Sequence, residues 1–320
     1  MALMPRSLVR SPLLLLTLVG GHAMAQEAGK WIDRMNRAVD ELNYRGTFVH
    51  VIDGTAEIMN IVHRNVAGNS GERISSEAPR REIVRENDQV KWILPDQKLV
   101  LLETRKDVSP LVSALPSYSA DLEPHYEINL RAATRIANRP AQVLEIKPRD
   151  EFRYGYLLWL DQETAMPLKS QLMDERGRTV EQILFTEIDM ASDVAASDLE
   201  PTINTTGFST LRPPDLVPSL AANVPWRASA VPGGFRLSAA TQSPMPGSKY
   251  PVEHLVYSDG LATVSVFIED PKTKAEVNDG FSKVGSTNTF SLTLRGRKVT
   301  AVGEVPRQTV RTIASSLVAE

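Results

Sequence analysis

A succession of short extended runs, divided by turn signals, constrains the fold of this chain more than any other feature. The runs are Tyr126–Ala137, Ala141–Lys147, Tyr154–Leu160, Leu168–Met173 and Glu181–Ile188. The intervening Asn, Asp, Gly and Pro clusters are typical of turns and leave no room for crossover helices. Because such short connections join only antiparallel strands, the sequence predicts an antiparallel meander. One wide sheet with helices packed against one side is the simplest architecture for it.

The same alternation of strand and turn begins near the start of the predicted mature chain. Asp53-Gly54 separates two extended runs and favours a two-residue hairpin loop. That loop would place His50 opposite Glu57, and Phe48 opposite Met59. An amphipathic helix precedes the hairpin, and its apolar stripe is Trp31, Ile32, Met35, Ala38, Val39 and Leu42. Two further runs, Val90–Leu94 and Leu99–Leu102, are so apolar that both of their faces are expected to be covered.

A proline-rich segment divides the chain into two predicted domains. The segment "STLRPPDLVPSL" shows no sustained periodicity and is interpreted as the core of a linker over residues 209–222. Before it lies a large domain, 26–208, in which Thr104–Pro124 is predicted to form short helices and loops over the sheet. After it, 223–320 has hairpins about Asp259-Gly260 and Arg295-Gly296 and a terminal helix. The predicted fold class is therefore α+β, with an antiparallel sheet in each domain.

The first 25 residues have the pattern of a secretory signal peptide. Arg6 and Arg10 charge the region ahead of the apolar run Pro12–Gly20, and an A-x-A cleavage pattern ends at Ala25. The apolar run is shorter than the roughly 20 residues that a membrane-spanning helix needs. A retained membrane anchor is the alternative interpretation. The pattern predicts cleavage after Ala25 and export of a soluble protein, with the periplasm as the expected compartment.

Composition narrows the function classes. The chain has no cysteine, which excludes a lipidated N-terminal cysteine, a redox motif and a thiolate metal site. The formal net charge of −3 becomes −5 when the signal peptide and its two arginines are removed. A mildly acidic chain of mixed charge is a poor candidate for nucleic-acid binding, which depends on neutralising phosphates.

The sequence carries no recognised catalytic or metal-binding pattern. The mature chain has four histidines, and none stands at a recognised metal-ligand spacing: His50, His63, His125 and His254. A pair between His50 and Glu57 on the sheet surface is the expected arrangement for the first of them. No nucleophile elbow, phosphate-binding loop or dinucleotide fingerprint occurs. We therefore predict no cofactor, no metal and no enzyme activity.

A paired acid and base among the turn carboxylates is the remaining catalytic alternative. The carboxylates in or beside turns are Asp150, Glu151, Asp161, Asp174, Glu175 and Glu181. Solvated acids are routine in turns, so an ordinary solvated position is the expected role of these carboxylates.

Apolar side chains are the better candidates for a binding site. The strands around Trp92 and Trp159 are apolar on both faces, which allows an apolar cavity between a curved sheet and its covering helices. The candidate ligand-binding residues are Trp92, Leu94, Leu101, Leu115, Tyr156 and Trp159. The alternative is that one face is simply core and the other packs under helices. A cavity would suit an acyl chain or an apolar peptide segment.

Three stretches resemble the MucB/RseB family of periplasmic regulators of envelope-stress sigma factors. They are "YRGTFVHV", "RIANRPAQVLEIKPRDEFRYGYLLWLDQETAMPLKSQL" and "HLVYSDGLATVSVFIED". The resemblance extends from about Trp31 to the end of the chain. It implies that the large domain is an unclosed β-barrel with covering helices, similar to the lipoprotein carriers of the Lol system. It also implies a smaller antiparallel sheet with a helix.

The resemblance further implies a regulatory binding protein. Its partner would be the periplasmic region of a single-pass anti-sigma factor, which it would shield from regulated proteolysis until a lipid or lipopolysaccharide ligand releases it. The candidate partner-binding residues lie on the second-domain hairpin: Leu255, Tyr257, Val266 and Ile268. A periplasmic lipid or lipoprotein carrier is the alternative function, and a homo-oligomer is left open.

Overall fold

The structure is a computed structural model of the 320-residue chain, and it describes residues 19–104, 115–116, 120–190, 193–212, 224–244, 251–269 and 279–319. Helix α1 is Val19–Glu41, and helix α2 is Arg307–Ser315 near the end of the chain. Most of the remaining described residues form antiparallel strands, so the α+β prediction of a mainly antiparallel chain with few helices is confirmed in its coarse form.

The strands fall into two main sheets. The large domain contains β1 Tyr44–Ile52, β2 Thr55–Val66, β3 Asn69–Glu77, β4 Arg80–Glu86, β5 Gln89–Leu94, β6 Leu99–Thr104, β7 Tyr126–Ile136, β8 Arg139–Pro148, β9 Gly155–Asp161, β10 Pro167–Met173, β11 Thr179–Asp189 and β12 Ser209–Leu211. The small domain contains β13 Trp226–Ala228, β14 Arg236–Pro244, β15 Pro251–Ser258, β16 Thr263–Glu269, β17 Gly280–Val284, β18 Thr287–Leu294, β19 Arg297–Gly303 and β20 Leu317–Ala319.

The large sheet is wide and unclosed. Its strand order is β12-β6-β5-β4-β3-β2-β1-β11-β10-β9-β8-β7, and no pairing joins β12 to β7 among the described strands. The predicted meander is confirmed as β7 to β11. Asp53 and Gly54 both have positive φ, at 49° and 76°, as a tight hairpin turn requires. The predicted register is also correct, because His50 faces Glu57 and Phe48 faces Met59.

Helix α1 packs along one face of the large sheet, which we call the inner face. Its Ala28, Ile32 and Met35 are fully buried against strands β7 to β9. One turn further on, Ala38 and Val39 pack against β1 to β5 and β11. The amphipathic stripe predicted from sequence therefore closes the core of this domain along its length.

The small domain is a six-stranded antiparallel sheet with α2 against it. The strand order is β14-β15-β16-β19-β18-β17, and β13 pairs with β20 in a separate two-stranded sheet. The predicted apolar stripe of the terminal helix is buried as expected, through Val310, Ile313 and Ala314. Leu317 is buried too, but it belongs to β20 instead of the helix.

Two predicted segments differ from the structure or fall outside it. Ser209–Leu211 was predicted as linker, but it forms β12, which pairs in parallel with β6 and continues the large sheet. Three residues bordering prolines carry too little periodicity to show this. Residues 213–223 of the predicted linker, and 105–114 and 117–119 of the covering segment, lie outside the described residues.

Within the described ranges, neither helix combines the length and the apolar character that crossing a bilayer requires.

Gly46 on β1 gives a stability prediction. A Cβ at this position would lie 2.6 Å from the backbone oxygen of Glu187 on the paired strand β11. Because a ladder carbonyl cannot move without distorting the sheet, we expect Gly46→Ala to lower the free energy of unfolding by about 1–3 kcal/mol. Urea unfolding measures this. Gly233→Ala is the control, since its Cβ would make only an ordinary 3.6 Å contact with His125 and should change stability little.

Candidate functional site

The two domains meet around a fully buried arginine. Arg153 lies in the turn between β8 and β9 of the large domain, and its side chain has no solvent exposure. Its Nη1 donates to Asp259 Oδ2 of the small domain at 2.6 Å, and its Nε donates to Asp150 Oδ1 at 3.0 Å. A third donor reaches the Gly233 carbonyl, also in the small domain. The guanidinium therefore extends from one domain into hydrogen-bonding groups of the other.

Asp259 is built to receive this arginine. It lies in the β15–β16 turn, where its Oδ1 accepts the amides of Leu261 at 2.9 Å and Ala262 at 2.7 Å. Its Oδ2 also accepts the Tyr126 hydroxyl at 3.0 Å. Burial, and then the charge of Asp259, raise the pKa of Tyr126, so the hydroxyl remains a donor. Every lone-pair direction of the buried carboxylate is used, which is the condition under which a buried ion pair is tolerated.

A second set of polar contacts crosses between the domains beside the first. On the large-domain side, His50 Nε2 contacts Glu181 Oε1 at 2.8 Å. On the small-domain side, Ser286 Oγ lies 2.8 Å from Glu181 Oε2 and 2.6 Å from Glu304 Oε1. Asn288 Nδ2 donates to the Tyr154 hydroxyl at 2.9 Å. These contacts make the domain interface polar as well as apolar, which is typical of interfaces between domains of one chain.

The backbone of the small domain also approaches the large domain closely, at Gly285. Gly285 has positive φ, at 61°, and a Cβ there would lie 2.4 Å from Ile52 Cδ1 of the large domain. Leu261 of the small domain packs against the apolar cluster beneath α1. At the edge of the interface, Arg236 and Asp121 form an exposed pair at 3.0 Å.

An open groove runs along the domain boundary, and we call it the interdomain groove. Its volume is about 560 Å³, and residues of both domains line it. Four of its lining residues are cationic and three are anionic: Arg176, Arg178, Lys283, Arg307, Glu151, Asp174 and Glu175. Arg178 is already paired with Asp174 at 2.7 Å. The groove therefore offers a charged, solvent-accessible surface to which both domains contribute.

The inner face of the large sheet carries most of the predicted ligand-binding residues. Ile61, Ile74 and Ile83 face one another on β2, β3 and β4, and Trp92 and Leu101 continue this row on β5 and β6. Trp92 is half-buried, and its indole Nε1 donates to Glu103 Oε2 at 3.3 Å.

The other predicted ligand-binding residues divide between the two faces. Leu94 shares the face of Trp92 by strand alternation. Leu115 contacts the clusters at both ends of α1. Tyr156 lies at the domain boundary, in a cavity of about 160 Å³ shared with Tyr126 and Glu304.

Trp159 lies on the opposite, outer face of the sheet. Its neighbours Leu158 and Leu160 point into the core, so alternation turns Trp159 away from α1. Lys169 on the paired strand β10 covers its ring, with Nζ 4.3 Å from the centroid. The expectation that Trp159 lines the same cavity as Trp92 is therefore corrected.

The four predicted partner-binding residues are core residues. Leu255, Tyr257, Val266 and Ile268 are buried between the small sheet and α2. Alternation places His254 and Phe267 on the outer face, where their rings stack at 4.5 Å. None of the four presents its side chain to a partner in this conformation, and contacts from this hairpin would come from the outward-facing residues.

A buried polar row on the inner face was not anticipated from sequence. Four polar residues lie directly opposite one another on β1 to β4: Tyr44, His63, Glu72 and Arg85. His63 stacks on Tyr44 at 4.8 Å, and its Nδ1 lies 2.8 Å from the Leu42 carbonyl at the end of α1. Burial lowers the pKa of His63 and raises that of Tyr44, so both are held neutral.

The histidine and carboxylate predictions have mixed outcomes. Although His50 faces Glu57 in the register, it pairs with Glu181, and Glu57 instead accepts from Arg81 at 2.7 Å. Among the described residues, no group of three or more potential metal ligands comes together. Of the turn carboxylates, Asp150 and Glu181 serve the domain contact.

Taken together, the fold and its sites define a two-domain binding protein, whose domains are joined by a buried polar contact and share a groove. The family model for the MucB/RseB N-terminal domain matches residues 27–203, and the model for the C-terminal domain matches residues 221–318. The chain therefore belongs to the MucB/RseB family.

Two relatives support this assignment over nearly the whole chain. Sigma factor AlgU regulatory protein MucB of Pseudomonas aeruginosa is 34% identical over 305 residues, which cover 92% of this chain and 91% of that relative. Sigma-E factor regulatory protein RseB of Escherichia coli K12 is 27% identical over 309 residues, which cover 94% of this chain and 93% of that relative.

Two solved structures resemble this one. MucB in complex with MucA(peri) matches with a TM-score of 0.71 at 31% identity, covering 92% of this chain and 99% of that chain. A crystal structure of MucB matches with a TM-score of 0.61 at 28% identity, covering 92% of this chain and 98% of that chain.

Proposed function

We propose that this protein is a periplasmic regulatory protein that binds the periplasmic region of a membrane-spanning anti-sigma factor. In this role it would protect the partner from regulated proteolysis and so restrain an envelope-stress sigma factor. The observation that carries the proposal is the likeness to MucB solved with MucA(peri), which extends over both domains at 31% identity. The relatives' names as sigma factor regulatory proteins support the same role.

Both domains take part in the likeness to the MucA(peri) complex, which covers 92% of this chain with a TM-score of 0.71. We infer that the partner binds at the interdomain groove, because both domains contribute charged residues to it.

A lipid ligand in the large domain is the second part of the proposal. Ile61, Ile74 and Ile83 are buried in the core beneath α1. The row that they begin ends at the half-buried Trp92 and Leu101, which offer apolar side chains of the kind that contact an acyl chain. A lipid can release the partner only if it binds the free form more tightly than the partner-bound form. The alternative function, a lipid or lipoprotein carrier, uses this same face but needs no partner.

A pull-down from envelope extract separates the regulator from the carrier. Recovery of a single-pass inner-membrane protein by the full mature chain supports the regulator, whereas recovery of outer-membrane lipoproteins alone supports the carrier. Mass spectrometry of the exported protein tests the compartment, because cleavage after Ala25 would leave Gln26 as the first residue.

The interdomain groove gives a prediction about the partner. Lys283→Glu combined with Arg307→Glu reverses two groove charges contributed by the small domain. We expect the double variant to change the affinity for the partner's periplasmic fragment at least fivefold. The reason is that charges at an interface rim determine partner selection and association rate. Titration calorimetry measures the affinity. The control is Arg295→Glu, a turn residue of the same domain outside the groove. Unchanged affinity in the groove variant would place the partner elsewhere.

A further inference from the structure

One hydroxyl lies between two carboxyl groups at the domain contact, and this arrangement requires a proton on one of the carboxyl groups. The three residues are Glu181, Ser286 and Glu304. Ser286 Oγ lies 2.8 Å from a Glu181 oxygen and 2.6 Å from a Glu304 oxygen. A hydroxyl has one hydrogen, so it can donate to only one of these carboxylates. The other short contact needs a proton on the carboxyl group itself, which then donates to Ser286 Oγ. If both carboxylates were ionised, one contact would be two oxygen acceptors facing each other.

The surroundings identify Glu304 as the protonated member. Burial opposes ionisation of Glu181, but hydrogen bonds from His50 and Ser286 lower its pKa overall. For Glu304, desolvation at the domain contact and then the negative charge of Glu181 raise the pKa. The arrangement is thus a neutral Glu304 donating to Ser286, which donates to an ionised Glu181.

This contact joins the two domains. Glu181 belongs to β11 of the large sheet, whereas Ser286 and Glu304 belong to the small domain and flank β18 and β19. Ser286 is 1% exposed, so the hydroxyl has no water to substitute for either carboxylate. Separating the domains would expose Glu181, whose side chain is 16% exposed in the closed form, and would widen the exposure of Glu304, which already reaches solvent on one side.

We propose that Glu181, Ser286 and Glu304 form an acid-stabilised latch, which holds the domains together while Glu304 carries its proton and loosens as the pH rises. The latch goes beyond the proposed function and does not depend on any partner or lipid.

The other titratable groups that face Glu304 do not provide the same switch. They are His50 on β1, Tyr126 on β7, and Tyr154 and Tyr156 at β9. Burial raises the pKa of Tyr154 to about 12 and raises the pKa values of Tyr126 and Tyr156 further, so the tyrosines stay neutral. His50 contacts Glu181 within the large domain, and its charge also acts directly on Glu304, where it opposes the rise in pKa.

The pH window follows from the two opposite pKa shifts. The contribution of Glu304 is complete below the ordinary carboxyl pKa of about 4.3, and it is lost as the pH rises through the raised closed-state pKa. The contribution of Glu181 is present above the ordinary pKa and is lost as the pH falls through its lowered pKa. Closure is therefore strongest in mild acid. Because Glu304 also has an exposed side, we expect the closed-to-open ratio to fall as the pH rises, by an amount that this exposure limits.

Spin labels can measure the closed fraction directly, because the chain has no cysteine of its own. Asp88→Cys and Ser315→Cys place labels on exposed positions of the large and small domains. Electron–electron distance measurements on the full mature chain, without partner or lipid, should show the closed distance losing population as the pH is raised from mild acid through the raised pKa of Glu304.

Glu304→Gln is the decisive variant. Glutamine retains a donor for Ser286 at every pH, so the closed population should become high and independent of pH. Asp121→Asn is the matched control, since Asp121 is a cross-domain carboxylate in an exposed pair and its loss should leave the pH response unchanged. A closed population that still depends on pH in Glu304→Gln would overturn the latch, as would a wild-type distance distribution that does not change with pH. The distance measurements use neither partner nor lipid, so a pull-down that recovered no partner would not affect this test of the latch.

Discussion

Replacing Arg153 with alanine is expected to destabilise the docked protein by about 3–5 kcal/mol. The substitution leaves Asp259 as a buried charge without its cation, at a position where neither side chain of the pair is exposed. It also removes the donor to the Gly233 carbonyl, so two small-domain acceptors lose their partner together. Urea unfolding followed by tryptophan fluorescence measures the loss, because Trp226 is in the small domain and the other three tryptophans are in the large domain.

A second substitution identifies the origin of that loss. Asp259→Asn removes the negative charge but retains an oxygen for the Leu261 and Ala262 amides. If the uncompensated charge is the cause, Arg153→Ala with Asp259→Asn should be more stable than Arg153→Ala alone. Arg236→Ala is the control, because its cross-domain pair with Asp121 is exposed and such pairs contribute about 0–1 kcal/mol. Equal losses in Arg153→Ala and Arg236→Ala would contradict the central role of the buried pair.

The strands could be predicted well because the turn residues that specify a hairpin are neighbours in the sequence. The Asp53-Gly54 turn, with positive φ at both residues, determined the β1–β2 register. The parallel pairing of β12 with β6 had no such signal, because the partners are about a hundred residues apart and three residues are too few for a period. The unclosed large sheet agrees with the expectation from sequence, while a carrier-like barrel with covering helices stays a prediction.

The domain contact could not be read from sequence for a different reason. Asp150, Asp259 and Glu181 each stand in or beside a turn, and in a turn a carboxylate is usually solvated. What makes them important is the other domain, which brings Arg153 to Asp259 across 106 positions of sequence and Ser286 to Glu181 across 105. The one signal available was a cluster of aromatic and charged residues between β8 and β9, "RDEFRYGY", more conspicuous than a simple turn requires.

The same limit explains the misplaced apolar residues. Periodicity assigns Leu255, Tyr257, Val266 and Ile268 to one face of a hairpin, but it does not say whether that face meets solvent or a core. Helix α2 covers it, so the residues are buried. Trp159 and Trp92 likewise have similar sequence surroundings, and only the course of α1 distinguishes the covered face from the outer one.

The two faces of the large sheet provide the test of lipid binding, which rests on the proposed function. Trp92→Ala removes a half-buried aromatic ring from the inner face, and Leu101→Arg introduces a charge into the same row. We expect either change to weaken binding of a dansyl-labelled fatty acid at least tenfold. Losing the apolar contact of one aromatic side chain costs about 2 kcal/mol, and a charge on an apolar face costs more.

Trp159→Ala is the matched control, since it removes the same side chain from the outer face of the same sheet. Its affinity for the labelled fatty acid should equal that of the wild type, and circular dichroism should show all three variants folded. If Trp159→Ala lost binding while Trp92→Ala and Leu101→Arg retained it, the acyl chain would lie on the outer face beside Lys169. If all three folded variants bound as the wild type does, the large sheet would have no acyl site on either face, and regulation would depend on protein contacts alone.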